Sequence, residues 1–271
     1  MKPRLRVVAL VRQHRQFICA DLSADGKTVA LGDTAGWTEV AAGTLGTVRS
    51  YSFSGDGKRL AVGGLDRQRN AHFVRVLDPA TGNELSALTL SRPVGDIALN
   101  ADGALLAIAG GLGTSQFEIW DLKTRSPARV LRGHSQSTNG VMFSPDGRLA
   151  SCSWDNTIKF WNAAAGQQVS RISGPSGLLA MPIALAPGGE MLAYGQRNSV
   201  NLFTGPVKTV TLVDAATGRI RRTLAGHDGS ALCLAFSSDG ARLVSGGRKG
   251  DMKVWNNKTG KPITTVRGGA N

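Results

Sequence analysis

Three residues near the middle of the chain could, by their types, form a nucleophilic catalytic centre. Ser151 would be the nucleophile, His134 its general base and Asp155 the acid that orients the base. A second, partial set recurs downstream as His227 and Ser245. Because an enzyme needs one complete site rather than several partial copies, we expect these residues to be structural. A hydrolase is therefore the least favoured of the functions considered.

No cofactor or metal site is indicated by the sequence. The glycine-rich run 110–114 matches neither phosphate-binding glycine motif, and a strand rather than a helix follows it. The four histidines and three cysteines are scattered along the chain and supply no ligand cluster. We therefore expect no catalytic residues, no metal and no cofactor.

The elements that carry these residues come from an internal repeat. A Ser/Asn/Ala-x-Asp-Gly turn followed by a short apolar strand occurs five times, and a weaker copy lies at 186–189. The glycines that end these turns are separated by 31, 46, 44, 42 and 51 residues. Intervals of about 40–45 residues are typical of propeller repeats with four strands each. These glycines are Gly26, Gly57, Gly103, Gly147, Gly189 and Gly240.

Each repeat reads as four short strands. Apolar runs flank the Asp-Gly pair, which is a strong hairpin signal. A third strand ends in a large residue followed by Asp or Asn, as in Ile119-Trp120-Asp121, and a Thr-Gly or Ala-Gly turn leads into a fourth. No stretch shows helical periodicity over enough residues to matter. The sequence predicts an all-β fold.

Two of the repeats resemble the WD40 family. The fourth repeat has Gly133-His134, Ser144-Pro145-Asp146-Gly147 and Phe160-Trp161-Asn162, and the sixth runs from Gly226-His227 to Val254-Trp255-Asn256. The resemblance implies a β-propeller, in which blades of four strands surround a central channel and the loops on one face contact partners.

The resemblance also implies a role for the residues that mimic a catalytic centre. In the family, a histidine after the outer strand joins a buried hydrogen-bond network with a hydroxyl, an aspartate and the tryptophan. The fourth repeat has every member of this network, namely His134, Ser151, Asp155 and Trp161.

The sixth repeat has a less complete version of the network. His227, Ser245 and Trp255 are present, but Lys249 stands six residues before the tryptophan, where the fourth repeat has its aspartate. We do not expect this network to close in the same way.

The resemblance leaves the number of blades to be predicted from the repeat lengths. The first interval is about ten residues short, whereas Leu5–Leu10 reads as an outer strand with nothing before it and 262–266 as the outer strand of the last blade. We predict a single propeller of six complete blades, closed by the N-terminal strand against the first blade. The alternative is an incomplete or partner-completed seven-bladed ring, or a fragment of a longer chain. The predicted repeats are 1–46, 47–92, 93–133, 134–174, 175–226 and 227–271.

The candidate partner-binding residues lie in loops that the propeller would place on one face. Trp154 falls between Ser153 and Asp155 and would be an exposed aromatic anchor, although it could equally fold over its own blade. Basic residues dominate the corresponding loops. Those chosen as partner-binding candidates are Arg15, Arg67, Arg69, Arg92, Arg197, Arg248 and Lys249.

The charge of the chain favours an anionic partner. With 32 Lys and Arg against 19 Asp and Glu, the net charge is +13, and a face of one sign attracts partners of the other. We expect a non-enzymatic protein interaction scaffold with an acidic protein partner. Nucleic acid is the alternative, but aromatic residues that could stack on bases are few.

Other features of the composition suggest where the protein acts. The odd number of cysteines and their wide separation predict a reducing, cytoplasmic setting. No apolar run is long enough for a membrane span, so we expect no membrane contact, and we expect a monomer.

Overall fold

The repeats fold into antiparallel β-sheets in the computed structural model, which describes residues 17–22, 29–33, 47–66, 69–110, 113–144, 147–173, 178–198, 209–237 and 239–267. In every sheet, strands that are consecutive in the chain pair with one another. The prediction of an all-β fold is confirmed. The described residues contain no helix with the length and apolarity needed to cross a membrane.

The strands form one pair and five blades, here called A to E. The pair is β1 (Phe17–Leu22) and β2 (Val29–Asp33). Blade A is β3 (Thr47–Phe53), β4 (Leu60–Asp66), β5 (Ala71–Leu77) and β6 (Glu84–Leu90). Blade B is β7 (Asp96–Leu99), β8 (Leu105–Ala109), β9 (Phe117–Asp121) and β10 (Ser126–Leu131). Blade C is β11 (Thr138–Phe143), β12 (Arg148–Ser153), β13 (Thr157–Asn162) and β14 (Gln167–Ser173). Blade D is β15 (Leu178–Leu185), β16 (Met191–Asn198), β17 (Thr209–Asp214) and β18 (Ile220–Ala225). Blade E is β19 (Ala231–Phe236), β20 (Arg242–Gly247), β21 (Asp251–Asn256) and β22 (Pro262–Arg267).

The number of blades differs from the prediction. The propeller has five blades of four strands, so the prediction of six complete blades is wrong, and so is the seven-bladed alternative. In the described part of the first repeat only β1 and β2 form, and β1 lies beside the inner strands β3 and β19. The physical reason is length, because this repeat is about ten residues shorter than its neighbours. The strand expected at Leu5–Leu10 lies outside the described residues, whereas the outer strand of the last blade is present as β22.

The Asp-Gly turns close through their own side chains, which explains why the motif recurs. In blade A, Ser54 Oγ donates to Asp56 Oδ1 at 2.6 Å, and the Lys58 N–H donates to the same oxygen at 3.0 Å. Gly57 has a φ of 70°, a left-handed conformation that glycine adopts without steric cost. The sequence between two strands therefore fixes each hairpin locally.

The core lies between the blades. A sheet of four strands cannot hide both of its faces alone, so each blade packs one face against the next. Between blades C and D, for example, Ile158, Phe160 and Ile172 pack with Leu192 and Val213 in one buried cluster. Similar clusters join A to B, B to C and D to E.

Four arginines also join neighbouring blades by donating to backbone carbonyls. Arg59 Nη1 reaches Gly103 O at 2.6 Å, and Arg148 Nη2 reaches Gly189 O at 3.3 Å. Arg129 and Arg222 do the same from outer strands to the last turn of the following blade. A part of the basic excess is therefore used within the fold.

Asp96 ties three blades together at the central channel, a cavity of about 350 Å³ lined by the inner strands. Ser50 Oγ of blade A donates to Asp96 Oδ1 at 2.5 Å, and the Val141 N–H of blade C donates to Oδ2 at 2.9 Å. Burial raises the pKa of Asp96 to about 6, although these hydrogen bonds oppose the shift. Among the described residues, Arg49 is the other charged residue that lines the channel, and the Cys152 thiol lines it as well.

We predict that Asp96→Asn stabilises the protein in a pH-dependent way. Because the pKa of Asp96 is higher in the fold than the ordinary value of 3.8, its contribution to stability is present below that value and is lost as pH rises through about 6. The variant should therefore be more stable than the parent near pH 8, by at most about 3 kcal/mol, and the difference should vanish near about pH 4. Urea denaturation at both pH values measures this, and a difference that does not depend on pH would contradict it.

Candidate partner-binding face

Blade C contains the complete network that the sequence predicts. His134 Nδ1 lies 2.8 Å from Asp155 Oδ2, and His134 Nε2 lies 2.7 Å from Ser151 Oγ. The Trp161 indole N–H donates to the same Ser151 Oγ at 2.8 Å. All three side chains are buried, with Ser151 on β12, Trp161 on β13 and His134 in the connection that precedes the blade.

The donors and acceptors of this network match in one arrangement. Ser151 Oγ accepts from Trp161 and can then donate its own proton to His134 Nε2, which leaves the histidine proton on Nδ1, facing Asp155. Asp155 also accepts from Thr157 Oγ1 at 2.6 Å and from the Ser135 N–H at 3.0 Å. The network is therefore fully bonded.

Burial and hydrogen bonding act on the two titratable members in definite directions. Burial lowers the pKa of His134, and this outweighs the opposite effect of Asp155. For Asp155, burial acts to raise the pKa, but hydrogen bonds from Thr157, His134 and Ser135 together hold it below its ordinary value. A neutral histidine beside a charged aspartate is the state that these directions favour.

The same geometry argues against hydrolysis at this place. Ser151 is 0 % exposed and its oxygen is already engaged by the Trp161 indole and by His134. An attacking hydroxyl must reach a substrate carbonyl directly. The residues that resemble a triad therefore hold strands together.

Blade E closes an equivalent network by a different route. His227 Nε2 lies 2.6 Å from Ser245 Oγ, and the Trp255 indole N–H donates to that oxygen at 2.7 Å. The carboxylate partner of His227 is Asp251, four residues before Trp255, where blade C has Thr157 before Trp161. The missing aspartate at Lys249 is thus replaced from the adjoining strand.

Gly247 makes room for this replacement. A Cβ at that position would collide with Asp251 Oδ1 and would lie 2.7 Å from His227 Nδ1. Asp251 Oδ1 has no hydrogen-bond partner among the described residues, so the blade E network is less fully bonded than that of blade C. The sequence signal for Asp251 was an aspartate at the start of the third strand paired with a glycine at the end of the second.

In blade B the tryptophan of the third strand has a different hydrogen-bond partner, which the sequence did not indicate. The Trp120 indole N–H donates to Glu118 Oε2 at 2.8 Å, and Glu118 also forms an ion pair with Arg92 of the preceding loop. Arg92, a candidate for partner binding, is therefore engaged within the propeller.

The networks hold tight turns at one end of the blades. We define the upper face as the described turns 69–70, 154–156 and 248–250 together with the blade-to-blade connections 91–95, 132–137 and 226–230. Trp154 N–H donates to Ser137 O at 3.0 Å, and Arg248 N–H donates to Ser230 O at 2.9 Å. Asn156 at φ 63° and Gly250 at φ 79° complete equivalent turns. Because Asp155 is bonded to His134, the neighbouring Trp154 is presented on a rigid turn.

The structure places the candidate binding residues in different settings. Trp154 is 36 % exposed. Arg248 and Lys249 are exposed, as is Arg132, and no ion pair or hydrogen bond engages these three side chains in the part of the chain that the structure describes. Arg69 Nε lies 3.9 Å from Asp66 Oδ2. Arg15 and Arg67 lie outside the described residues, and for Arg197 only the backbone is described.

The charge of the upper face is asymmetric. Among the described acidic residues that belong to these segments or are bonded to them, Asp66 and Glu118 face arginines, and Asp155 and Asp251 are bound to histidines. Asp228 remains exposed. The cations Arg132, Arg248 and Lys249 therefore outnumber the acidic groups left to balance them.

In a comparison with known proteins, two segments of the chain match one protein-family model. The model described as "WD domain, G-beta repeat" matches residues 125–162 and 218–256. These segments contain Trp161 and Trp255, the tryptophans of the networks in blades C and E.

Several curated proteins are similar over part of the chain. A ribosome biogenesis protein WDR12 homolog of Culex quinquefasciatus is 28% identical over 149 residues, which is 53% of this chain and 32% of the relative. A guanine nucleotide-binding protein subunit beta of Zea mays is 26% identical over 192 residues, or 66% of this chain and 49% of the relative. Protein hir1 of Schizosaccharomyces pombe is 25% identical over 252 residues, or 82% of this chain and 26% of the relative. The chain spans no more than about half of the length of these relatives.

Proposed function

The chain is a WD40-repeat β-propeller protein, and from this premise we propose that it is a non-enzymatic scaffold that binds a partner protein through its upper face. The observation that carries the proposal is Trp154, a partly exposed tryptophan on a turn that a buried network holds rigid. Tryptophan is enriched among the residues that dominate binding energy. A side chain that is already ordered loses little conformational entropy when a partner binds.

We infer that the partner is acidic near this contact. Arg132, Arg248 and Lys249 are exposed cations without internal partners among the described residues. Arginine binds carboxylates through a planar fork of donors. Relatives named for ribosome biogenesis and as a subunit of a guanine nucleotide-binding protein support a scaffold role without identifying the partner.

We predict that Trp154→Ala weakens partner binding at least about tenfold, the equivalent of about 1.4 kcal/mol, and leaves thermal stability nearly unchanged. The test is affinity capture from cell extract with parent, Trp154→Ala and Val169→Ala proteins, followed by quantification of what each retains. Val169 is the matched control because it is 66% exposed on an outer strand far from the upper face.

The capture is repeated at about 50 mM and about 300 mM salt to separate the two classes of partner. A protein lost with Trp154→Ala, kept with Val169→Ala and retained at the higher salt supports the proposal. Retention of nucleic acid that decreases steeply with salt and is unchanged by Trp154→Ala would contradict the proposal and favour binding to the phosphate backbone.

We also propose a monomer in a reducing, cytoplasmic setting without membrane contact. Cys152 and Cys233 are free thiols, which a reducing compartment maintains. The net charge of +13 opposes self-association.

A further inference from the structure

Among the described residues, nothing covers a face of blade E that blades A to D bury. The outer strand of each blade carries an aliphatic residue opposite the same position of the third strand. Those of blades A to D are Leu88, Leu131, Ile172 and Leu224, which are 5%, 0%, 9% and 1% exposed. The corresponding residue of blade E, Val266, is 48% exposed. Every residue of β22, the outer strand that carries Val266, is exposed.

The rest of this face is open to a lesser degree. Met252 and Val254 on β21 are half-buried, whereas their counterparts in blade C, Ile158 and Phe160, are 2% and 3% exposed. In blade C these residues lie in a cluster with blade D. In the described residues, the sheet that follows blade E around the channel is the two-stranded pair, which has no outer strands to cover β21 and β22.

The chain segment that carries this apolar face is strongly basic. From 242 to 267 the chain has seven basic residues and a single acidic residue, Asp251, which is buried and bound to His227. The basic residues are Arg242, Arg248, Lys249, Lys253, Lys258, Lys261 and Arg267. Lys253 lies over the Trp255 ring, on the side of the sheet that faces blade D, so the other six are the cations available at the open face and its borders.

We propose that the open face of blade E, formed by Val244, Met252, Val254 and Val266, is a second docking surface for an acidic partner segment with aliphatic side chains. Aliphatic side chains of the partner would take the place that the next blade takes elsewhere, and its carboxylates would meet the surrounding cations. Apolar residues at the same strand positions form the blade-to-blade interfaces of A to D. A second copy of the chain is disfavoured because it would bring two such basic borders together.

The first experiment tests whether the face is open, by comparing two isosteric substitutions. Val266→Thr should shift the melting temperature by less than about 2 °C, because exposed substitutions have small effects. Val210→Thr is the control, since Val210 is 0% exposed on β17, and it should lower the melting temperature by about 4 °C or more because a hydroxyl is buried there. Equal losses for the two variants would show that the face is covered and would overturn the proposal.

The second experiment tests binding with a defined probe. A fluorescein-labelled peptide that alternates valine and glutamate is titrated with the parent protein, with Met252→Thr/Val266→Thr and with Val169→Thr, and anisotropy is recorded. We expect the double variant to bind at least about tenfold more weakly and the Val169→Thr control to bind like the parent. A peptide with lysine in place of glutamate should bind more weakly than the acidic probe.

The outcomes are distinct from those for the upper face. Loss of binding with Trp154→Ala but not with Met252→Thr/Val266→Thr would overturn the second surface and leave the first intact. Equal binding of the acidic and basic peptides would also overturn it, as would dimerisation of the parent in sedimentation that Val266→Thr abolishes.

Discussion

Replacing Trp161 by alanine should lower the free energy of unfolding by about 3–5 kcal/mol, the largest effect expected of any single change discussed. Trp161 is 1% exposed and lies edge-on to Phe117 of blade B, with ring centroids 5.4 Å apart. Its removal opens a cavity between blades B and C and takes the indole donor from Ser151 Oγ. Urea denaturation followed by far-ultraviolet circular dichroism gives the change.

Two companion variants separate packing from hydrogen bonding. Trp161→Phe keeps an aromatic ring but lacks the N–H, so its loss should lie well below that of Trp161→Ala. Trp154→Ala removes the same side chain from a partly exposed turn and should change the free energy of unfolding by less than about 1 kcal/mol. Comparable losses for Trp154→Ala and Trp161→Ala would contradict the assignment of one tryptophan to binding and the other to the core.

Asp251→Thr should destabilise the protein by about 1–3 kcal/mol, because His227 Nδ1 loses its carboxylate partner in a buried site. Adding Lys249→Asp to this variant should recover at least half of the loss. The double variant reproduces blade C, where Asp155 occupies the position of Lys249 and Thr157 that of Asp251. Thermal and urea denaturation of the single and double variants measure the recovery.

The rescue distinguishes a specific network from general packing. If Asp251 only filled space, Lys249→Asp would add an exposed acid and recover nothing. Lys249→Gln added to Asp251→Thr is the control for loss of the positive charge, and it should not restore stability. A double variant no more stable than Asp251→Thr would show that the two networks are not interchangeable.

Local features of the sequence were sufficient for much of the fold. The Asp-Gly hairpins are closed by side chains within a few residues, as at Ser54 and Asp56, so their recurrence predicted the strands and the all-β class. The types of His134, Ser151, Asp155 and Trp161 at repeat spacing indicated a structural network, which has the expected bonds in blade C.

Features that depend on contacts between distant residues were beyond the sequence. The replacement of an aspartate at Lys249 by Asp251 depends on the contact between Asp251 and His227, which are 24 residues apart in the chain. The pairing of Asp251 with Gly247 becomes a recognisable sequence signal once that contact is known. Asp96 and Glu118 gained their roles from residues outside their own blade, namely Ser50 of blade A and Arg92 of the loop between blades A and B. Only the folded structure distinguishes the basic residues that bond within the propeller from those that remain exposed.

The sequence by itself determined that this protein is built of four-stranded repeats, because turns and strand patterns are set by near neighbours in the chain. Tertiary structure decided the count of five complete blades and the open face around Val266. Both depend on whether one sheet finds another to cover it, and that is settled by the packing of whole blades around the channel rather than by any local signal.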